Sequence, residues 1–180
     1  MLSPVDVAIL LVTFLSVLFD LWVRRIPNWI IAFGLSGGLL LNGYQGLSQF
    51  SHSILGFIAA IAIFIVPFAV GWMGAGDVKY FGVVGAILGV EWLPRVLFYS
   101  VLAAGVFAVA YVAMGRFNSR FFADAWTDCK LAVLSWGRVL PDSIGKRTAN
   151  GADSVPWGVA IGAGTLLAYY FDPTGRWAGF

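Results

Sequence analysis

Apolar runs of roughly 20 residues, the length an α-helix needs to cross the ~30 Å hydrocarbon core of a bilayer, recur along this chain with few charges inside them. No other feature constrains the fold so tightly. The 180 residues are 60% hydrophobic and 11% charged, against about half and about a quarter in ordinary soluble domains. A single soluble core has no room for that much apolar surface. The expected fold is all-α, a polytopic membrane protein.

Six spans can be drawn, at about residues 5–23, 28–47, 54–72, 77–90, 96–114 and 155–171. Arg24, Arg25 and Pro27 end the first, and Pro27 suits the first turn of the second because its missing N–H is harmless there. A polar segment over 43–53 carries no Lys or Arg, and Pro67 is expected to kink the third span near its end. The glycine-rich GWMGAGD stretch precedes the fourth span, the shortest of the six. Residues 115–153 form the only long polar segment. In it Phe117, Phe121, Phe122, Ala125, Trp126, Val133, Trp136 and Leu140 recur at helical spacing, with Arg116, Arg120 and Asp124 on the other side. That pattern suits an amphipathic helix lying in the membrane interface or a small soluble helical hairpin. The chain is therefore expected to form one membrane-embedded domain over 1–180, with 115–153 as a cytoplasmic or interfacial segment within it. Residues 1–11 hold no Lys or Arg, so the basic region of a signal peptide is absent. The first helix is expected to be retained.

Charge placement sets an orientation. With the N-terminus outside, Arg24, Arg25, Lys79, Arg116, Arg120, Lys130, Arg138, Lys146 and Arg147 all fall on the cytoplasmic side. Only Arg95 and Arg176 fall outside, a strong positive-inside bias. The same orientation puts Asp20 and Asp77 together at the cytoplasmic edge.

The supply of reactive side chains narrows the chemistry. Cys129 is the lone cysteine and His52 the lone histidine, so a disulfide, a Cys-pair metal site and a His cluster are all excluded. No metal, cofactor or nucleic acid is expected, and the carboxylates remain as candidates. Ionisable groups in membrane helices are costly and invite a functional reading. Asp6 and Asp172 are expected at outer helix ends, solvated and without chemistry. Asp20 lies one turn before Arg24, at the spacing that pairs opposite charges on a helix; a plain helix-end ion pair is the structural alternative. Asp77 follows Gly74-Ala75-Gly76, whose glycines permit positive φ and close approach of another chain. If it opens the fourth helix, its carboxylate can cap free N–H groups. Lys79 is expected to point away from Asp77 as a headgroup anchor. The spacings Gly34/Gly38, Gly85/Gly89 and Gly158/Gly162 suit close packing of membrane helices.

Two carboxylates on different helices at one membrane edge meet the needs of peptide hydrolysis. One, ionised, takes a proton from water, and the other, protonated, polarises the carbonyl and helps the amine leave. Like charges held close share a proton as a coupled pair. Which aspartate acts as base stays open.

At this point the motifs resemble a family. The stretch DLWVRRIPN, Asp20 to Asn28, resembles the first catalytic-aspartate motif of type IV prepilin peptidases. GAGDVK, Gly74 to Lys79, is similar to their GxGD motif, and VPWGVA, from Val155, resembles the start of their last helix. The resemblance implies a membrane aspartyl endopeptidase of the bacterial inner membrane (or an archaeal membrane). It would cut the basic leader of prepilins or pseudopilins after a Gly on the cytoplasmic side, without metal or cofactor. Its catalytic aspartates carry over to Asp20 and Asp77. Gly74, Gly76, Lys79, Arg24, Arg25, Pro27 and Asn28 match motif positions as supporting or substrate-orienting residues. Larger members add a cysteine-bearing domain linked to methylation; with Cys129 alone and no room for it between the first two spans, this chain looks like the short form without the methylase. Short forms often accompany Flp-type pilins, so such a pilin, together with membrane lipid, is the expected partner. The competing readings are a proton- or ion-coupled transporter component, which predicts midplane carboxylates and repeat symmetry, and a scaffold docking through 115–153. Oligomeric state stays open.

Overall fold

The computed structural model describes residues 3–69, 73–114, 127, 130 and 156–174. Helix α1, Pro4–Val23, starts on a reciprocal cap: Asp6 donates its N–H to the Ser3 hydroxyl, and Ser3 donates its own to the Asp6 carboxylate. It stops where Arg24 adopts the left-handed conformation, φ 54°, a cost of about 1–2 kcal/mol for a residue with a Cβ. Pro27, with its fixed φ and no N–H to leave unpaired, opens α2, Asn28–Gln45. Gly46, at φ 130°, turns the chain directly into α3, Leu47–Ala69. The polar segment over 43–53 is thus helical from Leu47 onward. Its Ser and Gln residues extend a 23-residue helix past what lipid requires. Pro67 sits inside α3 close to its end.

Helices α4, Ala75–Leu88, and α5, Leu93–Ala113, are joined by a 3-10 turn at Val90–Trp92, and α6 is Trp157–Phe171. Of the expected helix within 115–153 only Thr127 and Lys130 are described, both in helical conformation, and the rest lies outside the described residues. Six helices therefore occupy the six expected spans, and the described residues contain no strand. Pro4–Val23, Leu47–Ala69 and the continuous Val90–Ala113 stretch are each long and apolar enough to cross a membrane, and Trp157–Phe171 is a shorter apolar helix. Large apolar side chains face outward along these helices and α2, Phe14, Phe33, Leu40, Val66 and Val109 among them. In water that surface would drive aggregation; in a bilayer it meets lipid. The protein is an all-α, polytopic membrane protein.

Helix α4 is the centre of the bundle. It packs against α1, α2, α3 and α6 and is buried on every face from Tyr80 to Ile87. Two glycines let α3 cross it: a Cβ on Gly56 would lie 2.1 Å from the Gly85 carbonyl oxygen. Gly34 and Gly38 bring α2 against Val83 and Ile87 in the same way. Gly89 serves differently, ending α4 at φ 90°. At 14 residues α4 is about 21 Å long, so its last carbonyls end inside the bundle and need partners. Asn42 donates to the Ala86 and Ile87 carbonyls at 3.0 and 3.1 Å, and Ser53 donates to Ala86 as well. Two buried polar side chains thereby satisfy a helix end that water cannot reach.

Candidate active site

Where α1 ends, α2, α4 and α6 begin, and their first turns surround two carboxylates. Asp20 stands in the last turn of α1, 7% exposed. Its Oδ2 accepts the N–H of Val159 at 3.1 Å, in the first turn of α6. Helix α6 comes this close because residue 158 has no side chain. A Cβ there would lie 2.7 Å from Oδ2 and 2.8 Å from the carboxyl carbon of Asp20. Asp20 therefore docks on the free N–H groups of a helix start, where the helix dipole also favours a negative group.

Asp77 uses the same device on its own helix. Helix α4 starts at Ala75, two residues earlier than expected, with Gly74 as its N-cap and Asp77 at the third helical position. The Asp77 carboxylate accepts the Gly74 N–H at 3.1 Å. Asp77 is half-buried, and close enough to Asp20 that the charge on one is felt by the other. The structure thus brings the two aspartates into one electrostatic unit, from helices separated by more than fifty residues of chain.

The remaining motif residues fall around them. Neither Gly74 nor Gly76 uses the positive φ open to it, since Gly74 is at −80° and Gly76 already lies inside the helix. Gly76 instead faces the α1–α2 connection, where an added Cβ would touch the Ile26 backbone at 3.6 Å. Buried Ile26 anchors that connection, with exposed Arg24 and Arg25 on one side and half-buried Pro27 on the other. Lys79 is exposed and donates to the Asn28 side chain at 3.3 Å, tying α4 to the first residue of α2. Arg24 lies within electrostatic range of Asp20, and its guanidinium donates to the Tyr111 hydroxyl at 3.3 Å near the end of α5.

One contributor carries no assigned role in the sequence reading: the start of α6. Pro156 and Gly158 stand in VPWGVA: proline suits a helix start, and the glycine leaves room for Asp20 to reach the Val159 N–H. The other two expected carboxylates lie at the opposite end of the bundle. Asp6 accepts the Tyr169 hydroxyl, and Asp172 accepts the Tyr99 hydroxyl at 3.1 Å. Asp172 is only 1% exposed, so the expectation of a solvated helix-end residue is corrected there. The hydroxyl of half-buried Tyr99 takes the place of water on one of its oxygens. Among the described residues no group of three His, Cys, Asp or Glu side chains could hold a metal.

A model of the type IV leader peptidase family matches residues 7–109. The chain belongs to this family. It is also 28% identical over 167 residues to the prepilin leader peptidase/N-methyltransferase of Bacillus subtilis (strain 168), an alignment covering 89% of this chain and 54% of that protein. The chain thus spans about half the length of the curated relative it matches. No solved structure matches the chain. The leader-peptidase match includes both Asp20 and Asp77 but ends before α6, the helix whose N–H groups hold Asp20.

Proposed function

We propose that this chain is a membrane aspartyl endopeptidase that removes the leader of type IV prepilins, of the Flp type, after a Gly, with Asp20 and Asp77 as its catalytic dyad. The observation that carries this reading is the meeting of the two aspartates at one end of the bundle, each on the N–H groups of a helix start. Family membership supports the reaction class, and the prepilin leader peptidase activity for which the Bacillus subtilis relative is named supports prepilin as substrate.

In the proposed reaction one carboxylate, ionised, takes a proton from water as its oxygen attacks the scissile carbonyl carbon. The partner, protonated, donates to the carbonyl oxygen. The tetrahedral intermediate collapses with cleavage of the C–N bond, and a proton passes to the departing amine, which becomes the new pilin N-terminus. The backbone N–H at each aspartate holds its orientation without spending a side chain, so the other lone pairs stay open to water and peptide. Half-buried Asp77 gives water its way in.

The substrate's apolar helix docks laterally among the spans, and its basic leader stays on the cytoplasmic side of the inner membrane, with this chain's N-terminus outside. Arg24, Arg25, Pro27, Asn28, Gly74, Gly76 and Lys79 frame the entry as supporting residues. Helices α1 and α2 are joined by residues 24–27 alone, which supports a peptidase without the methyltransferase domain. Co-expression with a Flp-type prepilin tests the reading. Mass spectrometry should find a new, unmethylated N-terminus immediately after the leader Gly. An intact precursor beside a well-accumulated enzyme would refute the substrate, and a cut elsewhere would refute the specificity.

A further inference from the structure

Hydroxyl side chains within helices commonly close on a carbonyl of their own preceding turn. Ser36, Ser51, Ser100 and Thr165 all do so, donating to Ala32, Leu47, Val96 and Ile161 at 2.5–2.7 Å. Thr13 and Ser16 of α1 do not. At 2% and 0% exposure, their oxygens have no hydrogen-bond partner. The hydroxyl of Tyr80, a residue of α4 with no exposure, is in the same state.

These three groups share one place. Ser16 is one turn before Asp20 and Thr13 almost a turn before that, on one face of α1. Tyr80 is three residues after Asp77, and its hydroxyl lies close enough to those of Thr13 and Thr165 to interact with them, though neither contact has the geometry of a full hydrogen bond. Helix α6 seals the far side: Gly158 lies against Asp20, and Gly162, one turn on, lies against Val17, Thr13 and the Tyr80 hydroxyl. The unpartnered hydroxyls therefore run inward from Asp20 along the seam of α1, α4 and α6. Tyr80 is also within electrostatic range of Asp20. Buried polar groups left without protein partners are the usual lining of an internal water site.

We propose that Thr13, Ser16 and Tyr80 line an internal water site behind Asp20, and that Tyr80 is a positioning residue that holds the Asp20 carboxyl through that water. The role assigned to Tyr80 rests on reading Asp20 as catalytic; the water site does not. Val159 holds Asp20 from the α6 side, and the water holds it from within the bundle. Together they fix the plane of the carboxyl against the substrate.

The test uses the full chain in membranes or detergent, with Tyr80→Phe, Thr13→Val and Ser16→Ala, each of which removes a hydroxyl and keeps its volume or less. Thermal stability reads the site without reference to activity. Ser16→Ala is the deciding arm, because Tyr80 and Thr13 also touch each other: in a dry site it deletes an unpaired buried oxygen and raises the melting temperature. In a hydrated site each breaks a hydrogen bond to water and lowers it. We expect lowering in all three. Cleavage of a prepilin substrate reads the positioning: Tyr80→Phe should lower kcat about tenfold with KM within about twofold. Thr13→Val added to it should cost less than the product of the two single effects, because both act through one water. A raised melting temperature overturns the water site. An unchanged kcat in Tyr80→Phe, or fully multiplicative effects, overturns the positioning role. If Asp20→Asn still cleaves, the dyad reading fails, and the stability measurements still decide whether the site is wet.

Discussion

At the end of the bundle that holds Asp6 and Asp172, each carboxylate accepts the hydroxyl of a tyrosine from another helix. At the end that holds Asp20 and Asp77, each accepts a backbone N–H, from Val159 and Gly74. The tyrosine end is knitted further: Trp92 packs on Tyr169 at 5.2 Å, Arg95 lies over Trp92 at 4.4 Å, and Arg95 donates to the Pro173 carbonyl at 2.5 Å. Side chains there occupy the carboxylates and tie α1, α5 and α6 into one block. At the Asp20 end the neighbours are glycines and helix starts, which hold a carboxylate while leaving its remaining lone pairs open. The same residue type thus serves as a strut where tyrosines meet it and is available for chemistry where only the backbone does.

The largest expected effect that would sharpen this contrast comes from Gly158→Ala. Its Cβ has no room beside Asp20, so the carboxyl must shift, and a displacement near 1 Å costs about 100-fold in cleavage. Gly37→Ala, where nothing lies within 4 Å, should leave the rate unchanged and serves as the control. Equal rates in the two variants would break the account of how Asp20 is held. Gly85→Ala comes next: its Cβ would meet the Gly56 carbonyl oxygen at 2.5 Å, and overpacking of this kind costs about 1–3 kcal/mol of stability. Thermal unfolding in detergent checks it, and both ends should suffer alike because α4 supports both.

Tyr99→Phe and Tyr169→Phe should lower the melting temperature modestly while cleavage per folded enzyme stays within about twofold. A large loss of rate with no loss of stability would contradict the strut role. The smallest effect is expected from Lys79→Met. It removes one exposed bond to Asn28 and should change cleavage by no more than about threefold, in line with the small worth of exposed polar contacts.

Much of this arrangement could be read from the residues, and what could not has physical reasons. The helices follow from apolar runs, because lipid imposes length and composition on every span. The start of α3 is hidden in the sequence, because Ser48, Gln49 and Ser51 are polar enough to mimic a connection, yet a helix end beyond the hydrocarbon tolerates them. The glycines before Asp77 permit positive φ and close approach of another chain, and it is the close approach, of Ile26, that Gly76 serves, while Gly74 caps α4. The burial of Asp172 was hidden because its partner, Tyr99, is 73 residues away. The seat of Asp20 on α6 was hidden for the same reason, at a separation of 139 residues. Local sequence reports local capping well, but tertiary partners are set by which helices the bundle makes neighbours.

The most direct test places all four aspartates side by side: Asp6→Asn, Asp20→Asn, Asp77→Asn and Asp172→Asn, each assayed for prepilin cleavage per unit of folded enzyme. Asparagine keeps the shape and one acceptor but cannot exchange the proton. The account predicts that Asp20→Asn and Asp77→Asn lose cleavage by about 1,000-fold or more, the scale of a lost general acid or base. Asp6→Asn and Asp172→Asn should lose stability but keep a rate within about threefold of wild type. Near wild-type cleavage by Asp20→Asn or Asp77→Asn would contradict the central claim, as would a loss of equal size at the tyrosine-bound end.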